Sequence, residues 1–124
     1  MTVDEFAQIV EDVVDQLPPA CFQDLNGGVL VLEEEKHHPH APSGTVILGE
    51  YVVRPWLGRH VALYYGSFMK AHGNLSASQM RRRIRDTILH ELTHHLESRA
   101  GINNLGRKDV DQIQRLWDRY QGRD

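Results

Sequence analysis

Ile84-Arg85-Asp86-Thr87-Ile88-Leu89-His90-Glu91-Leu92-Thr93-His94-His95-Leu96 has the period of an amphipathic helix. Ile84, Ile88, Leu89, Leu92 and Leu96 share one stripe, which anchors the helix to a core. His90 and His94, four residues apart, lie about opposite that stripe, one above the other. Two imidazoles placed this way can reach one metal ion. Glu91 is turned about 100° from His90. It stands beside such an ion rather than on it, where a carboxylate can take a proton from a metal-activated water. The stretch is an HExxH sequence, from which His90 and His94 are expected to be zinc ligands and Glu91 the catalytic carboxylate.

Ser76, with Gln79 three residues on, supplies a capping box for the start of this helix. The helix should run to about Arg99 and stop at Gly101. A terminal helix near Lys108 to Tyr120 carries Val110, Ile113, Leu116, Trp117 and Tyr120 on one side. Towards the N-terminus, Val3 to Leu17 reads as an amphipathic helix ended by Pro18-Pro19. Asn26-Gly27-Gly28 is a turn signal, followed by the short β run Val29 to Leu32. Glu33 to Gly44, with His37, His38 and His40, reads as a polar loop. Thr45 to Val53 and His60 to Tyr65 read as a β-pair, with His60 to Tyr65 at the edge of the sheet. The expected fold class is α+β: one domain over residues 1–124, with an N-terminal helix, a small sheet of three to four strands, the HExxH helix and a C-terminal helix.

The run His90-Glu91-Leu92-Thr93-His94-His95-Leu96-Glu97-Ser98-Arg99-Ala100-Gly101 resembles the short bacterial zincin-like metallopeptidases, a family whose peptidase label is itself inferred for most members. The acidic first helix ending in Leu17-Pro18-Pro19 and the segment Leu48-Gly49-Glu50-Tyr51 also look similar. The resemblance implies a minimal zincin fold and zinc-dependent hydrolysis of peptide bonds. The alternative is a zincin-fold binding or regulatory module with little or no turnover. The commoner family pattern continues HExxHHFGxxD, its Asp being the third ligand. Here Leu96-Glu97, followed by Ser98, replaces the Phe-Gly step and Ala100 stands at the Asp position. The third ligand is therefore sought elsewhere. Asp109 is favoured, just after the loop that follows the helix, with Glu97 and Asp111 as rivals.

The 124 residues carry 40% apolar and 25% charged side chains and a net charge of −3, as an ordinary globular domain does. That charge gives no reason to expect nucleic acid as a partner, and Arg81, Arg82, Arg83 and Arg85 read as a solvated helix face. No run approaches membrane-spanning length. The lone Cys21 excludes an intrachain disulfide and suits a reducing, cytoplasmic setting; it reads as a buried small residue. The expected partner is a peptide or unfolded protein. Tyr64, Tyr65, His60 and His72 are candidates to steady an oxyanion. His95, at the edge of the apolar stripe, is expected to be a packed or partner-bonded histidine.

Overall fold

The computed structural model describes residues 1–56 and 58–103, together with Arg115. Helix α1 (Val3–Gln16) begins at a reciprocal cap: the Glu5 amide donates to the Thr2 hydroxyl, and the Thr2 amide donates to the Glu5 carboxylate. Its apolar stripe buries Phe6, Val10 and Val13. A short 3-10 turn (Pro19–Phe22) follows, with Cys21 buried inside it.

Five strands come next: β1 (Gly28–Leu32), β2 (Lys36–His37), β3 (Val46–Ile47), β4 (Gly49–Arg54) and β5 (Gly58–Tyr64). The main sheet has the order β1-β5-β4. β5 runs parallel to β1, from Gly28 opposite His60 to Leu32 opposite Tyr64. It runs antiparallel to β4, from Gly49 opposite Leu63 to Arg54 opposite Gly58. Gly58, at φ 79°, closes the β4–β5 turn in the left-handed region that glycine tolerates. β2 and β3 form a separate antiparallel pair, β2 falling inside the segment expected to be loop from Glu33 to Gly44.

The order overturns the expectation that His60 to Tyr65 forms the sheet edge. β5 is the central strand, and among the described residues β4 is an edge. The physical signal is the unbroken run Val61-Ala62-Leu63-Tyr64, whose four side chains are all buried, as befits a strand covered on both faces. Tyr65 is not in the strand either: it opens a helix, α2 (Tyr65–His72). Its ring meets Phe6 edge-on at 5.4 Å, and Phe68, one turn later, packs on Phe6 at 5.0 Å. Two turns of helix are too short to show a period in the sequence, so tertiary packing decides this element.

The helix carrying the HExxH sequence is α3 (Ala77–Asn103). Ser76 caps it as expected: the Gln79 amide donates to the Ser76 hydroxyl (3.2 Å), and the Ser76 amide donates to the Gln79 side chain (3.0 Å). The helix passes through Gly101 rather than stopping there. A glycine inside a helix costs only about 1 kcal/mol relative to alanine, which neighbouring turns can absorb. The expected helix from Lys108 to Tyr120 lies outside the described residues. Ile84, Ile88, Leu89, Leu92 and Leu96 are fully buried and join Val61 and Leu63 of β5 and Phe6, Val10 and Val13 of α1 in one core. Among the described residues no helix is long and apolar enough to cross a membrane.

One glycine sets how closely α3 lies against the edge strand. A Cβ added at Gly49 would stand 2.8 Å from Thr87 Cγ2 and 3.2 Å from the Ala62 carbonyl oxygen. Thr87 is held in place, its hydroxyl donating to the Arg83 carbonyl at 2.9 Å. Gly49→Ala is therefore expected to destabilise the fold by about 1–3 kcal/mol, the usual cost of overpacking. Urea unfolding should show a lowered midpoint at unchanged slope; a midpoint equal to wild type would mean that α3 and β4 are not in tight register.

Candidate metal centre and its cleft

The stripe that buries Ile88 and Leu92 turns His90 and His94 outward, and both are solvent-exposed. Their Nε2 atoms stand 3.2 Å apart, with the rings perpendicular and 4.8 Å between centroids. Zinc–imidazole bonds of about 2.0–2.1 Å at a tetrahedral angle put two ligand nitrogens roughly 3.3 Å apart. The pair fits one metal ion on that measure, and the same distance also suits an N–H···N hydrogen bond between two neutral rings. Burial lowers the His90 pKa, the neighbouring His94 lowers it further, and Glu97 pulls the other way. The net direction favours the neutral imidazole, the form that ligates a metal.

A third donor does not join them among the described residues, where no group of three His, Cys, Asp or Glu side chains converges. Glu97 is described and exposed, and so does not complete such a set. Asp109, the favoured third ligand, and Asp111 lie outside the described residues.

Glu91 differs from its histidine neighbours in being buried, at 9% exposure. Burial pushes its carboxyl above the usual carboxylate range; His94 and the Tyr51 backbone pull it partly back, and Glu50 adds to the rise. The Tyr51 contact follows from the register of β4. The Tyr64 amide donates to the Leu48 carbonyl at 2.9 Å, so the alternating pairs from Leu48 onward point their backbone groups at β5. Gly49, Tyr51 and Val53 then direct theirs outward, along the free edge. Glu91 stands at that edge.

Four side chains tie α3 to the sheet beside this point. Arg59 Nη1 donates to the Tyr51 hydroxyl at 2.9 Å and to Ser98 Oγ at 2.8 Å. The Tyr51 hydroxyl lies 2.9 Å from His95 Nδ1, and His95 Nε2 lies 2.8 Å from the Gln23 carbonyl oxygen. A carbonyl only accepts, so Nε2 carries the proton and Nδ1 accepts from the tyrosine. His95 is fully buried, and burial lowers its pKa, in keeping with a neutral ring. The doubled histidine thus splits by role: His94 faces outward, and His95 is a packed, partner-bonded residue. No local pattern could have paired His95 with Tyr51, 44 residues away.

The residues weighed for oxyanion stabilisation fall in different places. Tyr64 is buried and donates to Glu50 at 2.6 Å, with Lys36 Nζ 3.3 Å from its hydroxyl. The Tyr65 hydroxyl donates to the Met1 carbonyl. His60 lies on β5, opposite Val52. Only His72 of the four lines the cleft that also contains His90 and Glu91, a cavity of about 330 Å³ bounded further by Leu48, Gly49 and Arg83. In the histidine-rich loop, His37 Nε2 sits 2.6 Å from the Glu35 carboxylate and the His40 amide donates to His38 Nδ1 at 3.2 Å.

No protein-family model and no curated protein matches the chain. Among solved structures, a conserved hypothetical protein from Thermus thermophilus is 37% identical to it, with a TM-score of 0.72, over 82% of this chain and all of that one. The chain belongs to the same family as that protein. The likeness accords with the small α+β domain described above, and the name of the Thermus protein assigns no activity. Function has therefore to be argued from the site.

Proposed function

We propose that this protein is a zincin-like, zinc-dependent hydrolase of peptide bonds. The observation that carries the reading is the pair of outward imidazole nitrogens 3.2 Å apart, with the buried Glu91 carboxyl beside them at the free edge of β4. His90 and His94 would hold the metal, with Asp109 as the proposed third protein ligand. Zinc supplies, when bound, a Lewis acid and an acidified water.

The chain's own groups do the rest. The outward backbone groups of Gly49 and Val53 and the Tyr51 carbonyl, which no other described strand pairs, offer a ladder to an extended peptide by strand addition, beside the Tyr51 amide that holds Glu91. The Glu91 carboxylate takes the proton of the attacking water and returns it to the leaving amine. A carboxyl raised by burial is better matched to that task near neutral pH than a solvated one. His72, in the same cleft, is the group available to donate to the developing oxyanion. The buried lone thiol accords with a cytoplasmic setting.

The test is a comparison of zinc-loaded and chelated protein on a mixture of short peptides and an unfolded protein, read by mass spectrometry. Zinc-dependent cleavage is expected. Stoichiometric zinc without cleavage of any substrate would turn the reading to a zincin-fold binding module. The ligand set is tested separately: Asp109→Ala should weaken zinc binding, whereas Asp111→Ala and Glu97→Ala should leave it unchanged. A large loss in either of the latter, with Asp109→Ala at wild-type affinity, would reassign the third ligand.

A further inference from the structure

Resting on that reading, we infer that the cleft beside Glu91 selects peptides by a carboxylate on the C-terminal side of the bond to be cut, with Arg83 as its receptor. Arg83, His90 and Glu91 line one cavity. Arg83 precedes His90 by seven residues on α3, two turns, which returns it to nearly the same face about 10.5 Å away along the axis. An extended peptide advances about 3.3 Å per residue, so Arg83 stands roughly three residues from the reacting bond.

Arg83 differs from its neighbours in the arginine cluster. Arg81 is paired with Asp12 at 3.3 Å, and Arg82 and Arg85 each have an interaction of their own. Among the described residues no carboxylate pairs with Arg83. Two carboxyl groups, Asp86 and Glu91, also line the cleft; Asp86 has an interaction of its own, and burial pushes the Glu91 carboxyl towards its neutral form. His72 stands across the cleft; burial and then Arg83 lower its pKa, so it faces the site as a neutral donor rather than as a second charge.

The direction of the peptide follows from the backbone. Thr87 lies against Gly49, His95 against Tyr51, and Ser98 against Arg59, which is opposite Val53. β4 and α3 therefore run the same way. A peptide added antiparallel to β4, the more stable pairing, passes Val53 first and reaches Gly49 last. Its C-terminal end enters the cavity at Arg83. A guanidinium meets a carboxylate there in the fork geometry that suits both. The carboxylate has two sources: the free C-terminus of a short peptide, or an acidic side chain of a longer one.

Calorimetry with the zinc-loaded Glu91→Gln protein separates these. Three probes share one apolar hexapeptide sequence: the free acid, the C-terminal amide, and the amide with Glu near its C-terminal end. The free acid or the Glu peptide is expected to bind roughly 10- to 100-fold more tightly than the neutral amide, as a charge-assisted contact gives. Whichever it is names the source. Arg83→Gln should abolish the preference and Arg83→Lys should retain part of it, with circular dichroism and thermal midpoint of both variants at wild-type values. Equal binding of all three probes, or a preference unchanged in Arg83→Gln, overturns the inference and leaves the hydrolase reading standing. Failure to bind any of the three overturns the inference as well, and the cleavage assay above decides the hydrolase reading separately.

Discussion

Glu91→Gln is expected to bind zinc and to unfold at about the wild-type midpoint, yet to hydrolyse peptides roughly 10²- to 10⁴-fold more slowly, the usual consequence of removing a general base. The amide has the shape of the carboxyl it replaces and can still accept from the Tyr51 backbone, whose hydrogen bond holds the native side chain. It cannot take a proton at neutral pH. Removal of a buried, partly unfavourable charge at 9% exposure gives no reason for the fold to suffer. Single-turnover assays with metal content measured in the same samples keep the two effects apart. Wild-type rates in Glu91→Gln would remove Glu91 from the mechanism. Loss of zinc together with activity would instead make it a ligand.

The double variant His90→Ala, His94→Ala should fall from about one zinc per chain to background, because a tetrahedral zinc site rarely survives with only one or two protein ligands. Both rings are exposed and stand opposite the buried stripe of Ile84, Ile88, Leu89, Leu92 and Leu96. Alanine is also the best helix former. The apo forms of variant and wild type should therefore unfold alike, while added zinc should raise the midpoint of wild type alone, since a ligand that binds only the native state stabilises it by mass action. Protein purified without an affinity metal column, analysed by atomic emission, gives the content. Full zinc in the double variant would place the metal elsewhere, and the histidine-rich loop with His37, His38 and His40 would be the first segment to mutate.

The two helices with a clear stripe were legible because a helix repeats its own instruction every turn. Phe6, Val10 and Val13 on α1, and Ile84 to Leu96 on α3, announce their buried faces without reference to anything distant, and Thr2, Ser76 and Gln79 mark the ends by local hydrogen bonds. The HExxH spacing is of the same kind: four residues along one helix put His90 and His94 one above the other, and their Nε2 atoms stand 3.2 Å apart. The separate fates of His94 and His95 follow from the same geometry, one ring out and one in.

The sheet order was not local. Val61-Ala62-Leu63-Tyr64 is the central stretch because β1, far earlier in the chain, and β4, just before it, arrive on either side. Helix α2 exists because Tyr65 and Phe68 find Phe6, at the other end of the described helices and strands that precede them. The cleft itself is a tertiary object. Gly49 lets β4 approach Thr87, Tyr51 links Arg59 to His95, and only then do Arg83, His72 and Glu91 line one cavity. By itself the sequence determined which helix presents a metal-ligand pair and which side of that helix is buried, because both depend on spacings of three and four residues. The tertiary structure decided which strand lies open beside Glu91 and which arginine of the cluster reaches the cleft, because those depend on contacts between segments that no short-range period connects.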